Sequence, residues 1–90
     1  MPTVHLIITG RVQGVSYRFA AKEMATNLSL TGWVKNTAEG NVEATVSGPE
    51  PALQQFIGWC RQGPRLASVS DVIVQHIPEI SFNDFSIHRG

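Results

Sequence analysis

The sequence predicts an α+β fold in which two helices cover one face of an antiparallel sheet. Apolar residues recur every three or four positions in two separate segments, which is typical of amphipathic helices. Segments rich in β-branched or alternating residues stand before, between and after these helices. Glycine and proline separate the segments, and no Pro/Gly/Ser-rich linker divides the chain. The resulting order, βαββαβ, is that of the ferredoxin-like split βαβ sandwich.

The first strand and helix are predicted from residue type and spacing. Residues 4–9 are mostly β-branched or aliphatic, and Gly10 is expected to end this strand. Residues 17–28 carry an apolar stripe at spacings of three and four, which indicates a helix packed on the sheet.

A hairpin follows. Residues 33–37 and 42–47 are short alternating segments, and Gly40 between them can adopt the positive φ that a tight hairpin turn requires. The two segments are therefore expected to pair as neighbouring strands.

The second half repeats the pattern of helix and strand. A helix is indicated by apolar residues at i, i+3, i+4 and i+7, with proline near its first turn and Gly63-Pro64 after its last. The four apolar residues are Leu53, Phe56, Ile57 and Cys60. Residues 69–77 are predicted to form a strand, and residues 82–88 to contain a short terminal one.

Size and charge exclude several classes of protein. The 90 residues fit a single domain over 1–90, and seven Lys plus Arg balance seven Asp plus Glu. This neutral balance does not suit binding along a nucleic acid. No apolar run approaches the ~20 residues of a membrane span, and the first residues lack the basic region of a signal peptide. A single cysteine cannot form an internal disulfide. We expect a cytoplasmic monomer that binds neither nucleic acid nor membrane.

The segment between the first strand and the first helix is suited to binding an anion. Residues 10–18 hold two glycines, so the loop can curl and direct successive N–H groups to one point beside the positive end of the helix dipole. Arg18 in the first helical turn can add paired N–H donors. The alternative is an ordinary turn with a solvated arginine, and spacing alone leaves both open. No Lys-Ser or Lys-Thr follows the glycines, which argues against a P-loop and ATP chemistry.

The chain resembles the acylphosphatase family through two signatures, GRVQGVSYR at residues 10–18 and GWVKNTAEGNVE at residues 32–43. The likeness continues to residues 85–87, so it spans nearly the whole chain. It implies a hydrolase of acid anhydrides that cleaves the carboxyl–phosphate bond of small acylphosphates to a carboxylate and inorganic phosphate. It also implies that no metal or other cofactor takes part, and that phosphate or sulfate competes with the substrate.

The resemblance implies roles for two side chains and one loop. Arg18 matches the phosphate-binding arginine, and Asn36 matches the asparagine that orients the attacking water. The phosphate-binding loop comprises Gln13, Gly14, Val15, Ser16, Tyr17 and Arg18. Ser16 departs from the family's pattern, in which glycine or a bulky aromatic often occupies this position, so its effect on rate and affinity is open.

These few groups suffice chemically. A carboxylate with a pKa near ~4 can leave unprotonated at neutral pH, so no general acid is needed. The transition state of phosphoryl transfer is loose and spreads charge over the non-bridging oxygens, which fixed donors can stabilise. The amide of Asn36 can both accept a hydrogen bond from water and donate one to it.

Three alternatives arise from the residues alone. Asn36 is also typical of a residue that enters a hairpin and bonds to its own turn. A catalytically silent anion-binding module would use the same loop, and phosphate binding without turnover would identify it. RNA-binding modules share this element order, but residues 4–9 and 42–47 contain no aromatic side chain on which a base could stack.

The remaining reactive residue types favour structural roles. Cys60 lies on an apolar stripe, which predicts a buried thiol. His5, His76 and His88 are dispersed without metal-ligand spacing. Ser16 has no recognisable base beside it in the sequence, which argues against a covalent nucleophile.

Overall fold

A computed structural model describes residues 1–89. The elements in chain order are β1 (Thr3–Arg11), α1 (Tyr17–Asn27), β2 (Thr31–Asn36), β3 (Val42–Ser47), α2 (Glu50–Gln62), β4 (Ser68–Ile77) and β5 (Phe85–His88). The strands form one sheet in the order β4-β1-β3-β2-β5. This arrangement confirms the predicted ferredoxin-like fold class. Neither helix is long and apolar enough to span a membrane within the part of the chain described.

The core lies between one face of the sheet and the two helices. Alternate residues of β1 point into it, and Val4, Leu6 and Ile8 are completely buried. The helices contribute the predicted stripes, and their buried residues are Tyr17, Ala21 and Ala25 of α1 with Leu53, Phe56, Ile57 and Cys60 of α2. These residues belong to one apolar cluster, and the prediction of a buried thiol at Cys60 is confirmed.

The first strand is longer than predicted. It continues through Gly10 to Arg11, with a shift of register against β4 between Thr9 and Gly10. Gly10 has φ 114°, and a Cβ there would collide with the backbone of β4. The expectation that Gly10 ends the strand was therefore wrong, because the glycine forms a bulge within a paired strand.

The sheet is antiparallel except at one edge, where β5 lies parallel to β2. The prediction of an antiparallel sheet did not include this pairing. Since β1 and β2 are both antiparallel to β3, they run in the same direction, and β5 runs with them. The carboxyl ends of these three strands meet at one edge of the sheet. Arg11, Asn36 and His88 are their last residues.

Candidate functional site

The loop that follows β1 has an unusual backbone. Gly14 has φ 73° and Ser16 has φ 63°, so two nearby residues adopt the left-handed conformation before α1 begins. Left-handed residues beside right-handed ones turn successive N–H groups toward one concave side of the chain. The side chains of Val12 and Val15 are buried in the core, at 1% and 7% exposure. The loop is thus anchored to the core by two valines, while Gly14 and Ser16 lie on its solvent-exposed side.

The amides of this loop are available as donors. The first main-chain hydrogen bond of α1 runs from Ala20 N–H to Ser16 O, at 3.1 Å. Among residues 1–89, no main-chain carbonyl accepts a hydrogen bond from the amides of residues 12–19. An N-terminal helix turn always leaves such donors, and here the preceding loop adds more. Together with the helix dipole they favour an anion.

Arg18 is the second residue of α1 and is half-buried. Its Nη1 lies 3.5 Å from the carbonyl oxygen of His88, at the end of β5. A guanidinium has five N–H donors, so this single contact leaves most of them for an anion. The position of Arg18 therefore depends on α1 and on the terminal strand.

Asn36 ends β2 on the face that carries Val34, which is completely buried against the helices. Its Oδ1 is buried and, within residues 1–89, has no hydrogen-bond partner. The turn that follows is closed by Thr37 and Asn41: Thr37 N–H donates to Asn41 O at 2.9 Å, and Asn41 N–H donates to Thr37 Oγ1 at 3.1 Å. The alternative in which Asn36 bonds to its own turn is therefore wrong.

Two adjoining cavities share Arg18, Phe19 and Asn36. The smaller, about 240 Å³, is also lined by Val12, Gly14, Ser16 and Tyr17. The larger, about 530 Å³, is also lined by Ile87 and Arg89. Arg18 and Asn36, which are far apart in the sequence, thus line the same two spaces. The charged side chains lining them are arginines, so the local potential is positive in a chain of zero net charge.

Three side chains of the predicted loop make their contacts elsewhere in the fold. Val15 packs in the core, and Gln13 bonds to the β2–β3 turn. Tyr17 is buried at 1% exposure, and its hydroxyl donates to the carbonyl of Cys60 at 2.8 Å. Burial raises the pKa of Tyr17 far above its ordinary value. These three residues can reach an anion only through their backbone amides.

Sequence reasoning missed several residues at the site. Phe19, Ile87 and Arg89 line the cavities without having been singled out. Phe19 carried a usable signal: it follows Arg18 but lies off the apolar stripe, and it is 69% exposed. Ile87 and Arg89 reach the site because β5 pairs in parallel with β2, and no local sequence pattern predicted this pairing.

Comparisons of the sequence and of the structure with known proteins both match acylphosphatases. The acylphosphatase family model matches residues 4–87. An acylphosphatase of Trichormus variabilis is 40% identical over 96% of this chain and 85% of its own length. One from Methylococcus capsulatus is 40% identical over 99% of this chain and 98% of its own length. The crystal structure of acylphosphatase from Bacillus subtilis superposes with a TM-score of 0.95 at 37% identity, covering 98% of this chain and 99% of the other.

Proposed function

The chain belongs to the acylphosphatase family, and we propose that it hydrolyses small acylphosphates by using Arg18, Asn36 and the amides of residues 13–18. Its class is that of a hydrolase acting on acid anhydrides. One observation carries the proposed mechanism. Arg18 and Asn36 line the same cavities beside a loop whose amides donate to no main-chain carbonyl within residues 1–89, and the buried Oδ1 of Asn36 has no hydrogen-bond partner among those residues.

The phosphoryl group binds in the smaller cavity. The free amides of the loop and the guanidinium of Arg18 are donors to its non-bridging oxygens, with the helix dipole adding to the attraction. Negative charge on these oxygens is neutralised by donors that are already in place, so little reorganisation accompanies the reaction. Arginine and amides supply the positive charge, and the mechanism uses no metal.

The attacking water is held by Asn36. Its Oδ1 accepts a hydrogen bond from the water, which satisfies an oxygen that is buried and has no partner among residues 1–89. The side-chain NH₂ can donate to the same water or to the phosphate. A carboxylate here would repel the anionic substrate. Because Asn36 borders the cavity that holds the phosphoryl group, it can direct a lone pair of the water toward phosphorus.

The acyl group occupies the larger cavity. The exposed ring of Phe19 and the half-buried Ile87 give it an apolar contact surface. The water oxygen bonds to phosphorus as the bond between phosphorus and the acyl oxygen breaks on the opposite side, and the protons of the water stay with the inorganic phosphate or pass to solvent. A carboxylate leaves without needing a proton at neutral pH, so the scarcity of titratable groups in the site is compatible with the reaction. Every group named belongs to one chain, and we propose that the enzyme acts as a monomer.

Steady-state hydrolysis of benzoyl phosphate, measured with EDTA present, tests this mechanism. Arg18→Lys keeps the charge but loses the paired donors. It should raise the inhibition constant of inorganic phosphate about 10-fold or more and lower kcat/KM further, since charged hydrogen bonds contribute about 1.5 to 3 kcal/mol each. Asn36→Ala should lower kcat about 100-fold while the inhibition constant changes little. Phosphate and sulfate should inhibit the wild type competitively.

Matched controls are available in the same chain. Arg61→Lys and Asn27→Ala change exposed residues of the two helices and should leave kcat and KM unaltered. Full activity of Asn36→Ala would remove its proposed role, and loss of all activity in EDTA would contradict a metal-free reaction. Phosphate binding without any turnover by the wild type would favour the silent anion-binding module.

A further inference from the structure

Gln13 connects two parts of the site that are not adjacent in the sheet. Its side-chain Nε2 donates to the carbonyl of Thr37 at 2.9 Å and to the carbonyl of Asn41 at 2.8 Å. Both N–H groups of one amide are therefore used across the mouth of the β2–β3 turn. The strands that lead into the loop and the turn, β1 and β2, are separated by β3. The side chain spans this gap.

The other side chains that anchor the loop contact the core or α2 and not the β2–β3 turn. Val12 and Val15 pack in the core, and the Tyr17 hydroxyl reaches α2. Among the hydrogen bonds within residues 1–89, those from Gln13 are the ones that join residues 12–18 to residues 36–41. Because the loop makes no main-chain bonds to hold its own shape, its position relative to the turn depends on this amide.

We propose that Gln13 is a positioning residue that sets the separation between the phosphate-binding loop and Asn36. Thr37, whose carbonyl accepts from Gln13, directly follows Asn36 in the chain, so a displacement of one displaces the other. The inference rests on the proposed roles of Arg18 and Asn36. It adds that the in-line geometry of water and phosphorus is determined by a side chain that touches neither.

The chemistry of glutamine suits this role. Two carbonyl oxygens face the side chain, so the group between them must donate twice and carry no negative charge. An amide meets both requirements, whereas a carboxylate would place a third acceptor beside two others. Asparagine has the same amide on a side chain one methylene shorter, so it cannot reach both carbonyls from the same backbone position.

The decisive variant is Gln13→Met, which keeps the length of the side chain and removes both donors. A displacement of about 1 Å can cost up to ~100-fold in rate, so kcat should fall about 10-fold or more. The inhibition constant of inorganic phosphate should stay within about threefold, because Arg18 and the loop amides bind phosphate without the turn. Gln13→Asn should likewise lower kcat while leaving the inhibition constant of phosphate nearly unchanged. It is the variant to use if thermal unfolding shows that the Gln13→Met protein does not fold.

Gln54→Met is the matched control. Gln54 is exposed on α2 and bonds only to Glu50 among residues 1–89, at 2.9 Å, so its replacement should leave kcat unchanged. A purely structural role for Gln13 would lower the melting temperature and leave kcat unaltered, which would overturn the proposal. Equal changes in kcat and in phosphate affinity would overturn it as well.

A double-mutant cycle separates this proposal from the mechanism it rests on. If Gln13 acts by positioning Asn36, then Gln13→Met should lower kcat about 10-fold in the wild type and less than about twofold in the Asn36→Ala protein. Independent, multiplicative effects would refute the coupling while leaving the role of Asn36 intact. If Asn36→Ala alone has no effect on kcat, the mechanism itself fails.

Discussion

The loop after β1 and the turn after β2 lie at the same edge of the sheet, and each contains one left-handed glycine, Gly14 at φ 73° or Gly40 at φ 90°. They differ in where their amides donate. In the β2–β3 turn, Thr37 N–H bonds to Asn41 O and Gly40 N–H bonds to Thr37 O, at 2.9 and 3.2 Å. In the loop after β1, the amides bond to no main-chain carbonyl of residues 1–89.

If the loop after β1 binds an anion as proposed, then a binding loop and a structural turn share residue types here and differ in whether their backbone amides are used within the fold. The turn is closed by its own backbone, so its internal shape does not depend on another element, although Gln13 donates to two of its carbonyls. The amides of the loop have no main-chain acceptor among residues 1–89, as the proposed anion site requires, so the loop is held by side chains that reach other elements. Gln13 and Tyr17 are the polar anchors, and each bonds to a carbonyl far away in the sequence.

Removing the anchor at Tyr17 should have the largest effect on stability. Tyr17→Phe deletes a buried hydrogen bond and leaves the Cys60 carbonyl unpaired, which should lower the free energy of unfolding by about 1 to 3 kcal/mol. Urea unfolding followed by tryptophan fluorescence measures it, because Trp59 packs against this ring at 5.3 Å. Phosphate affinity should also fall, since α1 begins at Tyr17. An unchanged midpoint would show that the hydroxyl is not an anchor.

The same pair makes stability sensitive to alkali. Burial raises the pKa of Cys60 from 9.0 to about 12, and it raises the pKa of Tyr17 above its ordinary 10.0. In the unfolded chain both groups lose their protons above pH 9 to 10, while in the folded protein they keep them. The free energy of unfolding should therefore fall as pH rises from about 9, by up to ~1.4 kcal/mol per unit for each group. In Tyr17→Phe the decline should be shallower, and equal slopes would contradict this assignment.

The two glycines test the comparison directly. At both positions a Cβ would meet no atom within 4 Å, so alanine adds no collision and only the left-handed backbone opposes it. Gly14→Ala and Gly40→Ala should each lower the free energy of unfolding by about 0.5 to 1 kcal/mol, because the left-handed backbone costs alanine about 1 to 2 kcal/mol and glycine costs about 0.5 to 1 kcal/mol in chain entropy. Only Gly14→Ala should weaken phosphate binding, because only its loop supplies the donors.

Isothermal titration with inorganic phosphate and thermal unfolding of both variants separate these effects. Gly40→Ala serves as the control for a general loss of stability. If the two variants weaken phosphate binding equally, the site depends on overall stability and the contrast between the loop and the turn is wrong.

Much of the fold was predictable because burial imposes a period on the sequence. The alternating strands and the two apolar stripes mark the core-facing residues, and the element order then determines that β1 and β2 end at the same edge. Gly10 was misassigned because a bulge is defined by the partner strand and not by the residue itself. No local sequence pattern predicts that β5 pairs in parallel with β2. The presence of Arg89 at the site depends on this pairing, so it was not predicted either.

The two principal side chains of the candidate site were predictable, but the hydrogen bonds that anchor its loop were not. Arg18 was suggested by its place in the first helical turn, the family resemblance added Asn36, and the strand directions explain why both line the same cavities. The destinations of the Gln13 and Tyr17 side chains depend on carbonyls 24 or more positions away, which no local spacing encodes. Their membership in a loop motif gave no hint that they anchor it.

The smallest expected effect concerns Ser16, which is left-handed at φ 63° and makes no side-chain capping bond. A left-handed residue other than glycine costs about 1 to 2 kcal/mol, and glycine costs about 0.5 to 1 kcal/mol in chain entropy, so Ser16→Gly should stabilise the protein by about 0.5 to 1 kcal/mol. Ser29→Gly is the matched control, since Ser29 is left-handed at φ 58° just after α1 and lines neither cavity of the site. Both variants should melt at a higher temperature, and both should bind phosphate within about threefold of the wild type, because the loop donates through its backbone. A 10-fold loss of phosphate affinity in Ser16→Gly alone would instead make the Ser16 hydroxyl a ligand of the anion, at the position where this chain departs from its family.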